Sequence, residues 1–211
     1  MRSQKEILEI MKVFQKENPT PQCELNFHNL YTLLIAVVLS AQSTDKGVNK
    51  ATEKLFKIAD TPQKMIDLGI DKLKDYIKTI GLYNNKAKNI ILLSQQLIEK
   101  YNGIVPANLS DLTTLAGVGR KTANVILNVW FKKPALAVDT HVLRIAKRLE
   151  LSDGNTPLEV EKDLVKSLPE ELIINTNHWL VLFGRYICKA QKPECNKCPI
   201  IKYCRSKDKR L

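Results

Sequence analysis

Four of the five cysteines in this chain of 211 residues fall within its last 24 positions, as Cys188, Cys195, Cys198 and Cys204 in the pattern C-x6-C-x2-C-x5-C. Four thiolates gathered this closely along a chain can wrap one compact centre of soft metal. A four-cysteine zinc site is the general alternative, but zinc ribbons usually pair two C-x2-C knuckles and only one is present here. The remaining Cys23 stands alone and reads as a small buried hydrophobe. An odd count, with no secretion signal at the start of the chain, argues against a disulfide scaffold.

A second group of residues could do chemistry on an anionic substrate. Leu115-Ala116-Gly117-Val118-Gly119-Arg120-Lys121 leads into the strongly apolar run Thr122 to Phe131. Two glycines flanking one residue permit a tight turn with positive φ and remove side chains where another backbone must approach. The N–H groups at the start of the following helix then point outward at a positive helix end, which favours a phosphate. Val118 is expected to tuck between the two helices. Lys121 sits in the same positive field beside Arg120, an environment that favours the neutral, nucleophilic amine needed for Schiff-base chemistry. Asp139 follows 18 residues on, in Ala137-Val138-Asp139-Thr140-His141-Val142. An aspartate opposite such a lysine could stabilise a cationic sugar and move protons. On residue types alone, a lysine in a basic hairpin is usually a phosphate contact, and an aspartate before a helix is usually its cap. His141 reads as a hydrogen-bonded structural histidine.

The elements that must position these groups are helical. Periodicity predicts helices over 29–39, 46–59, 63–68, 71–79, 84–101, 111–115, 120–131, 139–149, 157–167 and 176–187, and Ile7 to Phe14 has helical spacing too. Ser110 suits an N-terminus, and Thr156-Pro157 places proline at a first helical position. Gly81 and Gly103 fall just past helical stretches, where a left-handed residue is needed. Thr122 to Phe131, apolar on almost every side, is expected in the centre of the molecule. With no convincing strand, the fold class is all-α.

Composition narrows the partner. A hydrophobic share of 44% is that of a globular chain, and no apolar run approaches the length of about 20 residues that a membrane span requires. Arg2 and Lys5 are soon followed by Glu6, Glu9 and Glu17, unlike a signal or transit peptide, so the protein is expected to stay in the cytoplasm. The net charge of +11 favours a polyanion.

Taken together, LAGVGRKTANVILN followed by VDTH, and the C-terminal cysteine spacing, resemble the endonuclease III family of helix-hairpin-helix, iron–sulfur DNA glycosylases with abasic-site lyase activity. The likeness runs from about residue 5 to 206. It implies a [4Fe-4S] cluster on Cys188, Cys195, Cys198 and Cys204, with Lys121 as nucleophile and Asp139 as its acidic partner. It implies that Gly117, Val118, Gly119 and Arg120 grip the DNA backbone within a helix-hairpin-helix motif over about 111–131. Gln42 and Leu82 match residues that enter the duplex when a nucleotide is extruded, the amide pairing with the orphaned base and the apolar side chain replacing lost stacking. Lys189 and Lys192 are placed to reach phosphates, while these and Lys197, Lys202 and Arg205 offset the charge of an anionic cluster. Many family members have proline where this chain has Ala116.

The resemblance also implies a division into a six-helix domain over 22–134 and an iron–sulfur domain of 1–21 plus 135–211, with its cluster loop at 188–204. Lys121 and Asp139 are expected to face the cleft between them. The expected partner is duplex DNA containing damaged pyrimidines or abasic sites, bound by a monomer associated with the nucleoid of a prokaryote.

Overall fold

The structure, a computed structural model, describes residues 1–210. Among the described residues there is no strand, so the all-α expectation holds. In chain order the helices are α1 (Gln4–Glu17), α2 (Leu30–Ser40), α3 (Asp45–Ile58), α4 (Pro62–Leu68), α5 (Ile70–Ile77), α6 (Tyr83–Tyr101), α7 (Leu109–Leu112), α8 (Arg120–Val129), α9 (Thr140–Arg148), α10 (Pro157–Ser167) and α11 (Glu170–Tyr186). None of them is long and apolar enough to cross a membrane.

The chain divides into two compact units, Cys23–Phe131 and Met1–Gln22 with Lys132–Leu211. In the first, α2 is the buried rod. Every residue from Tyr31 to Leu39 is buried, as an all-round apolar helix must be. Asn29 caps it in a reciprocal box, accepting from the Thr32 N–H at 2.8 Å while Thr32 Oγ1 accepts from the Asn29 N–H at 3.0 Å. Helices α3, α6 and α8 lie against it, and α6 also packs on α4 and α5. The central place expected for Thr122 to Phe131 thus belongs to α2. Helix α8 buries Ala123, Asn124, Ile126, Leu127 and Asn128, but ends at Val129, and Trp130 is 40% exposed. The two asparagines in TANVILNVWF face inward, and the apolar residues therefore extend around to the open side.

In the second unit, Ile7, Ile10, Met11 and Phe14 recur at helical spacing and give α1 one buried face. That face meets α11: Phe14 packs edge-on against Phe183 with ring centroids 5.1 Å apart. The Trp179 indole N–H donates to Asn18 O at 2.8 Å. Helix α11 also packs on α9 and α10, closing a core that includes Val142, Ile145, Leu164 and Leu180. The buried Arg2 ties the chain's start to this unit, donating through Nε to Leu149 O at 2.6 Å and through its guanidinium to Tyr203 O, next to Cys204.

Local differences from the sequence expectation have identifiable causes. Helix α11 begins six residues earlier than expected, with Pro169 at its N-cap position and Glu170 and Glu171 suiting its first turn. Thr176 and Asn177, which looked like a start, are instead buried inside it. Helix α7 is one turn capped by Asn108, whose side chain accepts both the Asp111 N–H and the Ser110 hydroxyl, so Ser110 is not the cap. Gly103 has the expected positive φ, but at the start of α6 the left-handed residue is Leu82 and not Gly81. Cys23 is half-buried rather than in the core.

Candidate functional site

The hairpin lies between α7 and α8. Gly117 carries the left-handed turn at φ 75°, whereas Gly119 is extended and forms the N-cap of α8. A Cβ on Gly117 would stand 3.0 Å from the Asn89 side chain, so glycine is required there by both conformation and space. A Cβ on Gly119 would meet nothing within 4 Å, and no side chain caps the helix it opens. The N-terminal end of α8 is thus open at its N-cap position, the kind of helix end that receives an anion. Val118 is 4% exposed, and its N–H donates to Leu115 O at 3.1 Å, which anchors the tip in the core.

A brace absent from the sequence reading is Gln96 on α6. Its Oε1 accepts the Ala116 N–H at 2.7 Å. A proline at this place would fix φ but carry no N–H. Here the residue keeps its N–H, and Gln96 holds it. Arg120 and Lys121 occupy the first two positions of α8, and Lys121 is exposed.

Two further loops of the same unit hold the residues read as entering the duplex. Gln42 follows α2 at φ 55°, and Leu82 precedes α6 at φ 59°. Leu82 is 59% exposed, and Gln42 is also exposed. A left-handed conformation costs a residue with a Cβ about 1–2 kcal/mol, so both loops hold their exposed side chains in conformations that only the surrounding structure sustains. The loops adjoin each other. A Cβ on Gly81 would lie 3.7 Å from Gln42 O. The buried Lys86 ammonium donates to Leu39 O at 2.9 Å, Ala41 O at 2.6 Å and Ser43 Oγ at 3.0 Å. Nothing in the sequence marked Lys86; a basic residue in a helix is ordinarily solvated.

Asp139 lies in the other unit, as the N-cap of α9, with Oδ1 accepting the Val142 N–H at 2.8 Å. His141 is held near Arg144, whose guanidinium lies 3.2 Å from Nδ1, consistent with a structural histidine.

Helix α9 also carries the two arginines that organise the cysteine loop. Arg144 donates to Gly184 O at 2.7 Å and Cys188 O at 3.2 Å. Arg148, one turn on, donates to Lys189 O at 2.7 Å, Ala190 O at 3.1 Å and Cys188 Sγ at 3.4 Å, and pairs with Asp208. Asp139 and the start of the cysteine loop are therefore mounted on one short helix. The four cysteines line a single pocket together with Leu149, Phe183, Ile187 and Ile201. None of the four is disulfide-bonded. Burial, and then the neighbouring cysteines, push the Cys198 thiol up to about 11. Holding all four sulfurs as thiolates in this apolar setting would need a bound cationic centre. Two N–H groups, from Arg148 and from the Arg210 backbone, already point at sulfur, each at 3.4 Å. Among the described residues no group of three or more His, Cys, Asp and Glu side chains is arranged to hold a metal ion. The donor set and lining suit a polynuclear thiolate-bound cluster better than a hydrated hard ion.

The lysines of this loop are placed unequally. Lys192 is exposed, at φ 49°. Lys189 is engaged by Glu194, which also pairs with Lys197 at 2.9 Å. These two cations hold the Glu194 carboxyl down at about 2. For Lys189 to meet a phosphate it must share or leave Glu194.

Known proteins resemble this chain along most of its length. Residues 35–170 match the model of the HhH-GPD superfamily of base excision DNA repair proteins. Endonuclease III of Haemophilus influenzae is 54% identical over 202 residues, covering 96% of each chain. Among solved structures, a non-covalent endonuclease III–DNA complex superposes with a TM-score of 0.92 at 48% identity, covering 97% of this chain and 96% of that one. A trapped endonuclease III–DNA covalent intermediate gives the same score and identity, with 97% of each chain covered.

Proposed function

Because the chain belongs to the endonuclease III family of helix-hairpin-helix base excision repair proteins, we propose that Lys121 and Asp139 carry its glycosylase and lyase reaction. The protein is a DNA glycosylase with abasic-site lyase activity, and its partner is damaged duplex DNA. The observation that carries the assignment of Lys121 is its place on α8, exposed one residue after an uncapped, glycine-opened helix end that can hold a phosphate. A backbone gripped there sets the lysine at a fixed distance along the strand from the sugar it attacks.

The substrate is an oxidised or ring-saturated pyrimidine, extruded from the duplex. The neutral Lys121 amine forms a bond to C1′ as the bond from C1′ to the base breaks, and the base leaves with the electron pair and takes a proton. Asp139 stabilises the positive charge on the sugar and relays protons around the lysine. Opening of the sugar ring gives an imine between C1′ and Nζ. Loss of a C2′ proton then expels the 3′ phosphate, nicking the strand 3′ to the lesion, and water releases the enzyme. The two residues lie in different units of the chain.

Cys188, Cys195, Cys198 and Cys204 would hold a [4Fe-4S] cluster. When bound, it organises the loop that presents Lys192 and the Lys189–Glu194 pair. Gly117, Val118, Gly119 and Arg120 grip the backbone. Gln42 and Leu82 fill the gap left by the extruded nucleotide. This reading sets the protein with the DNA, in the cytoplasm of a prokaryote. The test is incubation with duplexes carrying one oxidised pyrimidine, one abasic site or no lesion, scored separately for base release and strand scission. Release of the pyrimidine together with 3′ scission is expected. Release with intact strands would assign the protein to monofunctional glycosylases.

A further inference from the structure

Lys86 is 6% exposed, the most buried of the charged side chains apart from Arg2. Its three ammonium protons meet three acceptors, Leu39 O at 2.9 Å, Ala41 O at 2.6 Å and Ser43 Oγ at 3.0 Å. Two of these are main-chain carbonyls at the end of α2, groups that a helix leaves without internal partners. A cation there is also favoured by the negative end of the helix. Lys86 thus caps α2 from a different helix. Its main chain serves the other loop, since the Lys86 N–H donates to Leu82 O at 3.1 Å and closes the first turn of α6.

One residue therefore binds the loop of Gln42 through its side chain and the loop of Leu82 through its backbone. Both prongs are non-glycine residues at positive φ, at 55° and 59°. Each would relax toward an ordinary conformation if the loops were freed. Among the described residues no acidic side chain accepts from Lys86, so its charge is spent on loop carbonyls and a hydroxyl. A surface lysine or a simple ion pair would need none of this geometry.

We propose that Lys86 is a positioning residue that locks the Gln42 and Leu82 loops into one two-pronged wedge, setting the spacing at which they enter the duplex. This rests on the reading of Gln42 and Leu82 as the intercalating residues. The lysine touches no substrate. It acts on the step in which a stacked nucleotide is replaced, and leaves the chemistry at the sugar alone.

The experiment measures single-turnover base excision from two duplexes, with the same lesion either in a stacked pair or within a short unpaired bubble. Lys86→Met keeps the apolar stem and removes the donors. Hydrogen bonds to charged groups are each worth enough to change an equilibrium about tenfold, so excision from the stacked duplex should fall at least about tenfold. The fall in the bubble should stay within about threefold, because unstacking has already been done there. Lys86→Arg, which keeps the charge and donors, should recover part of the difference. Ser43→Ala removes one acceptor without opening the core, and should give a smaller loss confined to the stacked duplex. It decides the matter if Lys86→Met does not fold. Leu82→Ala is the reference. If it slows the stacked substrate selectively while Lys86→Met and Ser43→Ala slow both substrates equally or neither, the positioning role is wrong and the wedge stands. If Leu82→Ala itself slows both equally, the wedge reading fails and this inference fails with it.

Discussion

The two hairpin glycines should separate folding from DNA binding when each is changed to alanine. Gly117 sits at φ 75°, where a Cβ costs about 1–2 kcal/mol. The new Cβ would also stand 3.0 Å from the Asn89 side chain, and pushing that aside adds about 1 kcal/mol. The lower entropy of the unfolded alanine chain returns about 0.4–1 kcal/mol. Gly117→Ala should therefore lose about 1–2.6 kcal/mol, which for a chain of this size lowers Tm by roughly 2–10 °C. Gly119 is at φ −88° with nothing within 4 Å of a Cβ. The same entropic gain there is offset by alanine's weakness as an N-cap, leaving a net change within about 0.5 kcal/mol. Yet a phosphate seated at the N-terminal end of α8 would be crowded by a Cβ at its N-cap. Loss of one N–H bond to a charged oxygen should weaken binding about tenfold. Thermal unfolding without DNA and binding to an undamaged duplex read the two effects separately. A Gly119→Ala protein that binds duplex as tightly as the parent, or that unfolds below Gly117→Ala, would refute the assignment of roles within the hairpin.

Other outcomes follow from the charge and the cysteine loop. If about four phosphates are neutralised, log K for undamaged duplex should fall with log salt at a slope near −3.6, and a flat dependence would contradict backbone gripping. Cys198→Ser should prevent assembly of the cluster and weaken DNA binding while the helices of Cys23–Phe131 persist, because the ligands span a local segment of the other unit. Circular dichroism and the visible absorption of iron–sulfur charge transfer check this together; loss of the whole helical signal, or a colourless zinc-containing parent protein, would count against it.

How much of this was legible in the sequence depended on whether local or distant atoms decide the feature. Helix α10 begins and ends at the expected residues because Thr156, Pro157 and Glu159 form a cap written in consecutive letters. Gly117 was legible for the same reason, since a turn demands glycine locally. The burial of Thr176 and Asn177 within α11 was not, because packing overrode their polar character. Lys86 and Gln96 look like solvated residues of an amphipathic helix. Their partners, the end of α2 and the N–H of Ala116, are supplied by segments 43–47 and 20 residues away. The left-handed conformation of Leu82 was hidden by the adjacent Gly81, which drew the expectation to itself. The candidate nucleophile and its acidic partner were found through the motif they share with a family, since Asp139 by itself reads as the helix cap that it also is.

The central claim is that Lys121 forms a covalent bond with the sugar. Borohydride added during turnover should reduce the transient imine and leave the protein cross-linked to lesion-bearing duplex. Lys121→Gln, which removes the amine and leaves the hairpin in place, should bind damaged duplex yet give no cross-link and no strand scission. Asp139→Asn retains an oxygen to accept the Val142 N–H and so should keep α9 capped. It should bind as well and trap far more slowly. Strand scission by Lys121→Gln at the parent rate, or base release by the parent with neither cross-link nor scission, would contradict the account.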